Sequence, residues 1–102
     1  MKFDLANKKA IVTGGGSGIG RAIAMALAGQ GAEVHILEVN AKPAKETAAE
    51  IKATGGDAQA HACDVSNQKD VIKTVAGISA DRPIDILINN AGIAHIGNVE
   101  LT

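Results

Sequence analysis

The residues best placed for chemistry form a turn. Thr13, Gly14, Gly15, Gly16, Ser17, Gly18, Ile19 and Gly20 run consecutively, after the apolar Ala10, Ile11 and Val12 and before an apolar, helix-like stretch over 21–28. A strand, a glycine-rich turn and a helix N-terminus can cradle a diphosphate. The first N–H groups of the helix have no partner within it, and the helix end carries about half a positive charge. Gly14 permits a sharp exit from the strand. Gly18 leaves no side chain between backbone and diphosphate, and Gly20 lets the helix lie close to the strand. Ser17 adds a hydroxyl donor. A ligand-free turn is the competing reading.

Three further groups gain meaning from that turn. Glu38 lies 18 residues beyond Gly20, at the end of the second apolar strand pattern. An acid there accepts from the adenosine ribose hydroxyls and repels a 2′-phosphate, so it favours NAD over NADP. No Lys or Arg stands within 13–20 to receive such a phosphate. The competing reading is a solvated strand-end glutamate. Asp64 could accept from an adenine amino group while Val65 packs on the ring; equally, Asp64 could be a turn residue leading to Ser66. Asn89, Asn90, Ala91 and Gly92 close the last apolar strand pattern, across from Gly14. Amides there can bridge neighbouring strands, and Gly92 lets the backbone approach a ligand.

Other reactive side chains read as structural. His95 follows the Asn-Asn-Ala-Gly turn, where a lone loop histidine more often faces solvent than substrate. His35 and His61 sit on strand patterns with no cysteine or acid at metal-ligand spacing. Cys63 is the single cysteine and reads as a buried, inert thiol. Arg21 faces either solvent or a phosphate. No catalytic residue and no metal site is expected.

The elements that must position the turn alternate regularly. Strands are expected over 9–13, 34–39, 58–63 and 84–89. The first helix is expected over 19–30, with Ile19, Ile23, Ala26 and Leu27 inward and Gly31 ending it in the left-handed region. The second helix is capped by Asn40, has Pro43 in its first turn, faces inward with Ala44, Ala48 and Ile51, and stops at Gly55 and Gly56. The third is capped by Ser66, with Val71, Val75 and Ile78 inward. A loop is expected over 92–100, and Thr102 reads as the cap of a further helix. The fold class is α/β: a partial Rossmann fold with a parallel sheet of about four strands, order 3-2-1-4, and helices on both faces. The ligand crevice lies between strands one and four, and the apolar fourth strand should be buried on both faces.

Composition sets bounds around this reading. The 102 residues are 46% hydrophobic but 1% aromatic, so the core must be built from Ala, Val, Ile and Leu. Net charge is −1 with well-mixed signs, which argues against nucleic acid. No apolar run is long enough to span a bilayer and no secretory leader is evident, so a cytoplasmic location is expected.

Taken together, Thr-Gly-x-x-x-Gly-x-Gly at 13–20, the acid at 38, Asp64-Val65 and Asn-Asn-Ala-Gly at 89–92 resemble the short-chain dehydrogenase/reductase family over essentially the whole chain. The resemblance implies NAD(P)-dependent hydride transfer between alcohols and ketones. It implies that Gly14, Ser17, Gly18, Ile19 and Gly20 line the diphosphate, Glu38 holds the ribose, Asp64 and Val65 flank adenine, and Asn90, Ala91 and Gly92 lie along the nicotinamide ribose. Family members also use a Tyr-x-x-x-Lys pair, an upstream Ser and an Asn on the fourth helix. This chain has no tyrosine. Residues 1–102 therefore read as the NAD(P)-binding portion, ending before the catalytic half and inactive alone, with a small alcohol or ketone as substrate of the full-length protein. The alternative is a stand-alone nucleotide-binding or oligomerising module. Self-association is expected through an uncovered fourth strand.

Overall fold

The computed structural model describes residues 4–16, 18–90, 95–96 and 99–100. Four strands, β1 (Lys9–Thr13), β2 (Glu33–Glu38), β3 (Asp57–Ala62) and β4 (Ile86–Asn89), form one parallel sheet in the order β3-β2-β1-β4. Three helices connect them: α1 (Gly18–Gly29), α2 (Ala41–Ala53) and α3 (Gln68–Ile78). The expected class and strand order are those observed. Thr13 pairs with both Leu37 and Asn89, and Glu38 pairs with Ala62. The register thus brings the C-terminal ends of all four strands to one edge of the sheet. The chain reverses its direction of winding between β1 and β4, which opens a crevice at that edge.

Alternation along the strands divides the core. On one face Ala10, Val12, Val34, Ile36 and Ala58 meet Ala24 and Ala28 of α1 and Ala44, Ala48 and Ile51 of α2. On the other, Ile11, Leu37 and Cys63 meet Val71 and Ile78 of α3, with Val75 packed partly buried beside them. The β4 strand is only half-buried throughout, against the expectation of full burial. Among the described residues it has β1 on one side alone, and it begins at Ile86, two residues later than expected, with Asp85 bonded to Lys9 of β1 through both its N–H and its carboxylate.

Helix α1 is rotated from the expected phase. Its buried row is Gly20, Ala24 and Ala28, while Ala26 is exposed and Ile19 is 73% exposed; Ile23 and Leu27 are half-buried at the margin. Nearly every residue of α1 is apolar or small, so periodicity alone leaves its phase undetermined, and close approach of small residues to the sheet decides it. The Asn40 cap is observed, its side chain accepting from the Lys42 N–H at 3.1 Å. The cap of α3 is Asn67, accepting from Asp70 N–H at 3.1 Å, and not Ser66, whose hydroxyl is drawn to Asp64. Where a loop was expected over 92–100, β5 (His95–Ile96) pairs antiparallel with β6 (Val99–Glu100). The expected helix cap at Thr102 lies outside the described residues.

Candidate functional site

The site is assembled at the edge where β1, β2, β3 and β4 end. Thr13 is fully buried, and its hydroxyl donates to Asn89 Oδ1 at 2.9 Å. Asn90 Nδ2 donates to the Gly14 carbonyl at 3.2 Å. Asn89, the last residue of β4, thus bridges to the end of β1, and Asn90 holds the turn that follows β1. On the far side of the turn, the Gly16 N–H donates to Glu38 Oε2 at 2.8 Å, and the buried Thr47 hydroxyl of α2 approaches the Gly16 carbonyl at 3.4 Å. Glu38 is thus tied to the turn itself.

Within the turn, Gly15, Gly16 and Gly20 have no room for a methyl group and Gly18 has open space. A methyl group on Gly20 would meet the Gly14 carbonyl oxygen, with Asn90 Nδ2 at 2.5 Å and Gly14 C at 2.8 Å. One on Gly16 would meet Glu38 Oε2 at 2.5 Å and Pro43 Cβ at 2.7 Å. At Gly18, φ is +58° and nothing lies within 4 Å of an added methyl. The turn therefore presents bare backbone to open space at the N-terminus of α1. Ile19 and Val39, each 73% exposed, flank that opening with uncovered apolar surface. Bare N–H groups, a helix N-terminus and apolar margins suit a diphosphate joined to flat rings.

A cavity of about 130 Å³ opens beside Glu38, lined in part by Gly14, Leu37, Val39, Asp64 and Val65. Ligand cavities that enclose a whole cofactor usually run to roughly 300–1,000 Å³, so this one suits a single ring. Asp64 Oδ1 accepts from the Ser66 N–H at 3.0 Å and the Ser66 hydroxyl at 2.6 Å; these bonds hold its carboxyl below the usual range. Asp64 thus forms a turn with Ser66, ahead of the Asn67 cap of α3. Val65 is half-buried against the α3-side core. Cys63 is 2% exposed, and burial, aided by the charges of Asp70 and Asp64, pushes its thiol up. Arg21 is ion-paired with Glu50 of α2. Ser17, Ala91 and Gly92 lie outside the described residues.

The residues that pattern reading missed lie elsewhere. His35 and His61 are joined, Nδ1 to Nε2, at 2.8 Å, and His35 Nε2 meets Glu33 Oε2 at 2.5 Å. Glu33 stands two residues from His35, a spacing that puts both on one face of a strand. They line a cleft of about 720 Å³ beneath α3, away from the glycine turn.

Residues 8–102 match the family described as short chain dehydrogenase, and the chain belongs to that family. It is 42% identical to D-threitol dehydrogenase of Mycolicibacterium smegmatis over 102 residues, covering 96% of this chain and 38% of that one. The fold is shared with a metagenomic short-chain oxidoreductase solved in complex with NADP, at TM-score 0.82 and 37% identity, covering 86% of this chain and 40% of the other. A 7α-hydroxysteroid dehydrogenase solved with NADH and 7-oxo glycochenodeoxycholic acid superposes at TM-score 0.78 and 34% identity, covering 84% and 34%. The chain thus spans well under half the length of these relatives. No helix among the described residues is long and apolar enough to cross a membrane.

Proposed function

We propose that residues 1–102 form the dinucleotide-binding portion of a short-chain dehydrogenase and prefer NAD to NADP. The observation carrying this reading is the Gly16 N–H donated to Glu38 Oε2 at 2.8 Å, which fixes a carboxylate beside the open backbone at Gly18. In this reading Gly14, Ser17, Gly18, Ile19 and Gly20 surround the diphosphate. Glu38 accepts from the ribose hydroxyls, Asp64 and Val65 border adenine, and Asn90, Ala91 and Gly92 border the nicotinamide ribose. A bound nicotinamide dinucleotide would supply the hydride donor or acceptor for a small alcohol or ketone. The protein's own part is to bind and orient: Asn90 steadies Gly14, and the Gly16 N–H steadies Glu38 through Oε2. A 2′-phosphate would face that carboxylate without a neighbouring cation in 13–20.

The absence of tyrosine leaves the family's proton donor unsupplied by this chain, so binding without turnover is the expected behaviour. The half-buried β4, an edge among the described residues, supports self-association, and the mixed charge speaks against a nucleic-acid partner. Calorimetric titration with NAD and NADP tests the main reading. NAD binding at least about tenfold tighter than NADP is expected, with Glu38→Ser narrowing the gap. Equal affinities would refute the role of Glu38, and no heat with either dinucleotide at millimolar concentration would refute the site.

A further inference from the structure

The cleft beneath α3 contains a chain of bonded titratable groups outside the dinucleotide site. Arg82, in the segment after α3, donates through Nη2 to Glu33 Oε1 at 2.6 Å and through Nη1 to the Asn7 carbonyl at 2.6 Å. Glu33 Oε2 accepts from His35 Nε2 at 2.5 Å, and His35 Nδ1 faces His61 Nε2 at 2.8 Å. The chain thus runs from the α3–β4 segment through β2 to β3. His35 is 4% exposed, whereas His61 is half-buried at the cleft.

That geometry restricts the protons the pair can hold. A nitrogen-to-nitrogen bond needs one hydrogen between the rings. With Glu33 accepting from His35 Nε2, either His61 donates to a neutral His35 or a protonated His35 donates to a neutral His61. Two protonated rings would oppose N–H to N–H and the bond would break. His35 is enclosed and held by Glu33, so the ring that must turn away is His61, on the edge strand. The other charges facing the pair do not relieve this. From β1, Lys9 is spent on Asp81 at 2.5 Å; from α3, Asp70 is engaged with the Asp64 N–H at 2.9 Å, while Lys73 adds a second cation to the cleft. Among the described residues no third ligand joins the imidazoles in a metal-holding group.

We propose that His35 and His61 form a single-proton lock between β2 and β3, which opens when both rings are protonated and loosens the edge strand leading to Cys63, Asp64 and Val65. Burial, followed by the charge of His35, holds His61 below its ordinary 6.5, in keeping with a closed state that resists a second proton. The inference is independent of dinucleotide binding.

Amide hydrogen exchange and histidine ring titration by NMR, between about pH 7.5 and 5, test it. After correction for intrinsic rates, amides of β3 should open more readily by up to about tenfold per pH unit below the ordinary histidine range, while those of β1 stay protected. The two rings should titrate in coupled steps. His61→Gln, which cannot take the second proton, should abolish the pH dependence; His35→Gln serves as the second variant. Acid opening that persists in either variant, opening that spreads equally to β1, or independent titration of the two rings would each overturn the lock. The ring titration needs only the unmodified chain and decides the matter even where a variant fails to fold.

Discussion

Replacing Gly20 with alanine adds one methyl group where α1 packs against Gly14 of the turn. In an exposed helix interior that change would stabilise by about 1 kcal/mol. Here the methyl would lie against the Gly14 carbonyl, with Gly14 C at 2.8 Å and Asn90 Nδ2 at 2.5 Å. Overpacking of this kind costs about 1–3 kcal/mol. The upper part of that range applies because two of the three atoms are backbone and cannot rotate away. Displacing Asn90 also forfeits its bond to Gly14 O, about 1 kcal/mol. The net expectation is a loss of about 2–3 kcal/mol, or roughly 30- to 160-fold in the folding equilibrium. A chain of this size should then melt about 10–20 °C lower. Far-UV circular dichroism during thermal and urea unfolding measures it. Gly77→Ala is the control: nothing lies within 4 Å of its added methyl, and it should stabilise by up to about 1 kcal/mol. A Gly20→Ala chain as stable as the parent, or equal shifts for both variants, would refute the argument from close packing.

Three other outcomes are expected. Lys9→Met leaves the Ile78 carbonyl without the ammonium that reaches it at 2.5 Å and should destabilise by about 1–3 kcal/mol, measured by urea unfolding. Glu33 is held below its ordinary 4.5 chiefly by its bond to His35. The stability it lends is present above that value and lost as pH falls through the lower folded value, so Glu33→Gln should flatten the acid limb of a stability–pH curve. Cys63, buried and with its thiol pushed up, should react with a thiol reagent far more slowly than free cysteine at pH 8. A rate within about tenfold of the free thiol would contradict its burial.

Much of the fold was legible because its punctuation is strong. Asn40 caps α2 as expected, Gly31 follows α1 with φ +99°, and the apolar runs before Gly14 and Asn90 are strands. The phase of α1 was not legible, because hydrophobicity favours burying Ile19 over Ala24, whereas the close fit of Gly20 against Gly14 buries Ala24 and leaves Ile19 exposed. Asn67 displaced Ser66 as a cap because Asp64 captures the serine hydroxyl, a competition between neighbours that residue preferences do not resolve. Of the candidate site, the gathering of the turn, Glu38 and Asn90 at one sheet edge was readable from type and spacing. The bond from Gly16 to Glu38 was not, since it depends on where α2 starts relative to the turn. The two histidines are separated by 26 residues and meet only through the parallel register of β2 and β3, which no local pattern reveals.

The small size of the core side chains has an entropic consequence. Seven of the eleven buried residues on the α1–α2 side are alanines: Ala10, Ala24, Ala28, Ala32, Ala44, Ala48 and Ala58. Alanine has no side-chain rotamers to lose on folding, whereas each buried leucine or isoleucine gives up roughly 0.5–1 kcal/mol. This layer gains less from each residue it buries, but it also has fewer alternative packings to suppress. The glycine turn is therefore mounted on a layer with little rotamer freedom to lose.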